Sequence, residues 1–271
     1  MATAAKRQDL ADLQNSKDIR GKHIERVGIE RVKLPIAINR KKPDGVATVV
    51  MAYVSMYISI DSEITGANMS RFMECISSYE SVMLTSEHLK VIVEDMLERL
   101  QSKDGYIEIR FNYFVPRLAP VSKTRSVQGY EVSFIGREKD GKYDFVTEVT
   151  VIGTNLCPCS KEISEYGAHN QRCHIRAQLV PNSELYWIED IIDTIESCVS
   201  CPIFPVLKRE DEKWVTEKAY ENPKFVEDLA RDVALAFDAK GVTSYTIKCT
   251  ADESIHHHEA VAYINRNWIL G

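Results

Sequence analysis

Along this chain hydrophobic residues either alternate with polar ones or recur at helical spacing, and the two patterns come in blocks. β-Branched residues dominate 24–38, and 46–60 is an uncharged β-branched and aromatic run. Both read as strands, with Lys41-Lys42-Pro43-Asp44-Gly45 as the turn between them. Residues 68–79 predict a helix. A second helix is predicted over 86–102, where Leu89, Ile92, Val93, Met96, Leu97 and Leu100 share one face. Ile107, Ile109, Phe111, Tyr113 and Val115 then alternate with Glu108, Arg110 and Asn112, the period of a half-buried strand. Strands over 129–138 and 142–152 flank Lys139-Asp140-Gly141, whose Asp-Gly marks a hairpin turn. Cys173, Ile175, Ala177 and Leu179 alternate again. Helices follow over 184–199 and 223–239, the second opened by Asn222-Pro223 and closed by Gly241. Strands over 242–250 and 259–268 complete the chain.

The order is therefore ββ-αα-ββ, twice, as a repeat of pattern without a residue-level repeat. Grouped strands and grouped helices predict an α+β fold with antiparallel sheets and helices on one face. Residues 1–23 are polar and aperiodic and read as a mobile or loosely docked arm. The remainder, 24–271, reads as one domain of two halves, about 24–125 and 126–271. A long sheet with one helical layer leaves edges and a second face to cover, which oligomerisation would do.

Composition narrows the function classes. The 34 basic and 40 acidic side chains give a net charge of −6, against duplex nucleic acid as the main partner. Small anions stay open, since a few local Lys and Arg suffice for them. Charged residues precede any apolar stretch at the N-terminus, so no signal peptide fits. The 46–60 run falls short of the roughly 20 residues of a membrane helix. Seven cysteines, an odd number, point to reduced thiols and a cytoplasmic chain without membrane partners.

Three segments carry candidate chemistry. In Asn155–Arg172, between two strand signals, Cys157, Cys159 and His169 offer two thiols and an imidazole suited to Zn²⁺ or a similar cation. Buried cysteines that act as small hydrophobes are the alternative. In Glu253-Ser254-Ile255-His256-His257-His258-Glu259, an extended backbone would place His256 and His258 on one side and His257 on the other. Such a pair suits proton transfer or metal ligation; a solvated polar turn is the plainer reading. Leu207–Lys213 reads as an exposed charged segment, and Glu227 stands four residues before Arg231, the spacing of a routine helical ion pair.

Taken together, Leu156-Cys157-Pro158-Cys159-Ser160-Lys161-Glu162-Ile163-Ser164, Tyr166-Gly167-Ala168-His169-Asn170-Gln171-Arg172, Leu207–Glu212, Val215-Thr216-Glu217, Asn222-Pro223, Phe225–Asp228 and Glu253–His256 with His258 resemble GTP cyclohydrolase I of type IB, a folate-pathway family. The resemblance spans about 24–268. It implies the tunnelling fold, in which ββααββ units build barrels ringed by helices, and a single catalytic domain. It implies one divalent metal, zinc or manganese, at Cys157, His169 and Glu212. Glu227 matches the glutamate that anchors the purine, and Cys159, Glu253, His256 and His258, with Cys157, match active-site positions. Lys161, Arg172, Lys208 and Arg209 are motif cations available to a triphosphate. The implied reaction converts GTP and water to formate and 7,8-dihydroneopterin triphosphate, the first step of tetrahydrofolate biosynthesis, in a homotetramer with sites at subunit interfaces. Two other readings stand beside it: a nitrile reductase of the same fold with a Cys nucleophile, and a non-enzymatic metal-binding or redox-sensing module. The Glu-x-Lys-x-x-Lys motif of the reductases is absent.

Overall fold

The computed structural model describes residues 14, 16–41, 47–79, 82–182 and 186–268. Most of the expected arm, the 42–45 part of the first turn and the start of the 184–199 helix lie outside these. The elements in order are β1 (Ile24–Ile38), β2 (Thr48–Ile60), α1 (Met69–Ser77), β3 (Met83–Leu84), α2 (Ser86–Leu100), β4 (Gly105–Leu118), β5 (Arg125–Lys139) and β6 (Lys142–Leu156). There follow α3 (Pro158–Ile163), β7 (Asn170–Val180), α4 (Ile188–Glu196), β8 (Cys201–Pro202), α5 (Arg209–Glu221), α6 (Val226–Ala239), β9 (Ser244–Ala251) and β10 (Ala260–Arg266).

The alternation read from the sequence becomes one sheet with a buried and an open face. Val50, Ala52, Val54, Met56, Ile58 and Ile60 of β2 are buried, as are Ile107, Ile109, Phe111, Tyr113 and Val115 of β4. They join one hydrophobic core with Leu89, Ile92, Val93 and Met96 of α2 and Leu229, Val233 and Phe237 of α6. The strand order is β10-β9-β7-β6-β5-β4-β2-β1-β3, with β8 added beside β6. Every pairing is antiparallel except β1 with β3. Burying apolar strand faces under amphipathic helices is the dominant stabilising term in such a layer arrangement.

The two halves meet at the β5–β6 hairpin. Lys139 pairs with Lys142, leaving Asp140 and Gly141 as the turn, with φ of 52° and 74°. Two successive positive φ values are the requirement of a type I′ turn, which Asp-Gly meets at low cost. In element order, β1 to β5 precede this turn and β6 to β10 follow it, and the sheet runs continuously across it. The described end of the arm is docked: Asp18, Thr65 and Gly66 donate backbone N–H groups to Glu63, Ser16 and Gln14 respectively.

Two departures concern helices. α5 forms where an exposed charged segment was expected. Its apolar packing is a satellite cluster of Leu156, Cys201 and Ala219, flanked by Ala168, Trp214 and Val215. α6 begins at Val226, three residues later than Asn222-Pro223 suggested. Asn222 instead donates its side-chain amide to the carbonyl of Val199 at 2.9 Å, and Asp228 accepts the N–H of Phe225 at 3.0 Å to cap α6.

Candidate active site

At one end of the sheet, on the helical side, lies a cavity of about 500 Å³ lined by residues from α3, β6, β7, the start of α6 and the β9–β10 loop. Cys157, Cys159, His169, Glu227, Glu253, His256 and His258 all line it. Of the seven cysteines, all free, Cys157 is half-buried and Cys159 exposed, whereas Cys75, Cys173, Cys198, Cys201 and Cys249 are buried. Burial pushes the Cys201 thiol up to about 11, as expected of inert core thiols. The small-hydrophobe reading therefore holds for those five and not for the pair in the cavity.

The cavity wall is built outward from the end of β6. Gly153 is needed there: a Cβ would come within 2.5 Å of Val199, whose segment continues into β8 alongside β6. Ser200 accepts the N–H of Leu156 through Oγ at 3.1 Å, and Lys224 donates its N–H to the carbonyl of Leu156 at 3.0 Å. Cys157 is the N-cap of α3. Its N–H bonds the His169 carbonyl at 3.0 Å, and its Sγ accepts the Ser160 N–H at 3.5 Å. Ser160 Oγ donates to the Cys157 carbonyl at 3.1 Å and accepts the His169 N–H at 3.2 Å. One serine thus ties thiol and imidazole together.

Orientation of the imidazole follows from Gln171. Its Oε1 accepts from His169 Nδ1 at 2.8 Å, which leaves the Nε2 lone pair of the neutral ring available. A histidine whose second nitrogen is fixed by a hydrogen bond, beside a thiol sulfur, is the donor chemistry a borderline divalent cation takes. Cys157 and His169 fit that role. Glu212 does not line the cavity, and among the described residues no three His, Cys, Asp or Glu side chains converge to hold a metal. The reason is local. Asp211 is the α5 residue that turns inward, so its neighbour Glu212 faces solvent.

Asp211 is completely buried. It accepts the N–H of Val121 at 2.8 Å, that of Ser122 at 2.9 Å, the Ser122 hydroxyl at 2.6 Å and the N–H of Lys208 at 2.8 Å. Burial alone would raise its carboxyl. The Ser122 hydroxyl and the three backbone donors outweigh burial and hold it well below the usual carboxylate range.

The β9–β10 loop bends instead of extending into a strand over 256–258, yet His256 and His258 still lie together. Their rings stack at 4.9 Å between centroids and 12° between planes, and His257 stays outside the lining. Glu227, second residue of α6, makes no hydrogen bond or ion pair with a described residue. Arg231 bonds Asp228 at 3.3 Å instead, so the routine ion pair is not formed.

The motif cations do not reach the cavity. Lys161 donates Nζ to the Tyr220 carbonyl at 2.5 Å and lies over the Tyr220 ring, joining α3 to α5. Arg172 follows Gln171 on β7, so alternation gives it the opposite face. Lys208 and Arg209, at the start of α5, lie outside the lining. The basic residue that does line it is Lys224, ion-paired with Asp232 and unremarked in the sequence. Asn155 and Gln171 also line the cavity and were not singled out in the sequence. Both sit at strand positions in phase with buried apolar residues, and a polar residue at such a position was the available signal.

The class is set by fold. The chain superposes on the uricase of Arthrobacter globiformis with a TM-score of 0.52 at 10% identity, over 90% of this chain and 94% of that one. Both share the tunnelling fold. The family follows from sequence. A family profile described as type I GTP cyclohydrolase folE2 matches residues 10–262. Proteins named GTP cyclohydrolase FolE2 are similar throughout. That of Nitrosomonas eutropha is 45% identical over 263 residues, 96% of this chain and 97% of its own. That of Methylobacillus flagellatus is 43% identical over 259 residues, 95% and 96% of the two chains. This chain belongs to the type I GTP cyclohydrolase FolE2 family.

Proposed function

We propose that this chain is a GTP cyclohydrolase that converts GTP and water to formate and 7,8-dihydroneopterin triphosphate for folate synthesis. The observation that carries the reading is the gathering of Cys157, His169, Glu227, Glu253, His256 and His258 around one cavity. Glu227 offers two acceptor oxygens, free of partners among the described residues, to the N1–H and 2-amino donors of guanine. Adenine lacks that donor pair and would leave the carboxylate unmatched. Phe225 and Ile255 give apolar surface for a planar ring. The stacked His256 and His258 carry the protons that ring opening and pterin closure require, one receiving while the other donates.

Cys157 and His169 would hold one zinc or manganese ion, and Glu212, exposed on α5 outside the lining, would join them as third ligand only by turning toward the cavity. Bound there, the metal supplies a Lewis acid that lowers the pKa of a water. A triphosphate needs more cations than Lys224, already paired, provides. Together with the open apolar sheet face, this supports a homotetramer with active sites shared between subunits. Neither the nitrile reductase nor the sensing module is favoured, since the family relatives are cyclohydrolases by name.

The test is incubation of purified protein with GTP and Mn²⁺ or Zn²⁺. Released formate and, after oxidation, fluorescent neopterin are expected. Metal-loaded, folded protein that leaves GTP intact would sink the reading.

A further inference from the structure

Asn155 is 3% exposed and lines the cavity, yet its Oδ1 is buried with no hydrogen-bond partner. Buried acceptors in folded proteins are almost always paired, so an orphan beside a cavity marks a place for an incoming donor. No described group donates to it, and the polar side chains nearby are engaged as acceptors. Gln171, directly opposite on β7, accepts from His169 through Oε1, and Ser200 accepts from the Leu156 N–H. The position is close to the chemistry: Asn155 stands two residues before Cys157 and across the ladder from the residue that orients His169.

The inference rests on the cyclohydrolase reading. The C8 side of guanine presents N7 and O6, both acceptors, so intact GTP offers Oδ1 nothing there. Addition of water across the C8=N7 bond changes this. The water oxygen bonds to C8, the π pair moves to N7, and N7 takes the proton, leaving a C8 hydroxyl and an N7–H donor. We propose that Asn155 Oδ1 accepts the hydrogen bond from that N7–H, so that it binds the hydrated ring and not the unreacted one. An interaction made only after addition begins raises kcat and leaves ground-state binding almost unchanged.

8-Oxo-GTP provides a probe that needs no turnover, because it carries hydrogen on N7 and oxygen on C8. Asn155→Leu keeps the volume and removes the acceptor; Asn155→Asp keeps an acceptor oxygen. For Asn155→Leu, kcat for GTP is expected to fall roughly 10- to 100-fold with KM within about threefold of wild type. Calorimetry should show 8-oxo-GTP affinity falling by a similar roughly 10- to 100-fold. Asn155→Asp should retain 8-oxo-GTP affinity within about tenfold of wild type. Unchanged kcat and unchanged 8-oxo-GTP affinity in Asn155→Leu would overturn the proposal while the cyclohydrolase reading stands. So would equal weakening of GTP and 8-oxo-GTP. If Asn155→Leu does not fold, loss of 8-oxo-GTP affinity in folded Asn155→Asp overturns it. A wild-type protein that leaves GTP intact would sink both.

Discussion

Glu227 faces the cavity from the first turn of α6 without a partner among the described residues, while Arg231 is held by Asp228. Glu227→Ala should therefore lower kcat/KM for GTP by roughly 100-fold or more, because two substrate donors lose their acceptor. Its thermal stability should change by about 0.5 kcal/mol or less, as for a surface side chain without contacts. Steady-state kinetics beside a melting curve checks both, and kcat/KM near wild type would return Glu227 to the surface. The two cavity thiols divide by how they are held. Cys157 is tied to His169 through Ser160 and a backbone bond, whereas Cys159 is exposed. Metal content per subunit should fall to near zero in Cys157→Ala and persist in Cys159→Ala; the opposite result reverses the ligand assignment. At this scale the grouping of the thiols, His169, Glu227 and the histidine pair around one cavity was legible through the family resemblance, and Glu227 read as a routine ion pair without it. The cations were not. A Lys or Arg in a motif says nothing about the face it takes, and Lys161 turned to Tyr220 while Lys224 turned to the cavity wall.

Helices with broad apolar stripes were readable at the scale of elements, and α5 was not. Its apolar burial amounts to Ala219 with partly buried Trp214 and Val215, too narrow a stripe to give a period. What fixes its start is Asp211, bonded to the β4–β5 turn, and that contact between distant segments leaves no local trace. The same contact sets a pH dependence. The folded-state pKa of Asp211 lies below its unfolded value of about 3.9, so its stabilising effect is full above that pH. It is lost as pH falls through the folded value. Asp211→Asn should melt lower than wild type at pH 7, with loosened α5 and less metal retained if Glu212 is a ligand. The gap should narrow below about pH 4, where the carboxyl of the unfolded chain takes up a proton while the folded one stays ionised. Calorimetric melts from pH 3 to 8 measure this, and a gap independent of pH would show that Asp211 acts by shape alone.

Over the whole molecule the alternation along each strand foretold a sheet with one helical face, and could not foretell what covers the other. Val49 and Met51 of β2 and Val261 and Tyr263 of β10 remain more than half exposed. None of the described helices is long and apolar enough to cross a membrane. A second copy of the chain suits these strips, and light scattering should give about four times the 30.8 kDa of one chain. A monomer at micromolar concentration would refute shared sites. The β5–β6 hairpin has a further consequence. The peptide link between the two halves is a turn of two residues, Asp140-Gly141, while the pairing beside it runs from Glu131–Lys139 against Lys142–Thr150. Two separately expressed chains, 1–140 and 141–271, should therefore find each other and restore the continuous sheet. Neither piece alone should hold its core, because each would expose a central strand edge along its full length. Co-purification of the pair through a tag on one fragment, with strand-rich circular dichroism only in the mixture, is the expected result.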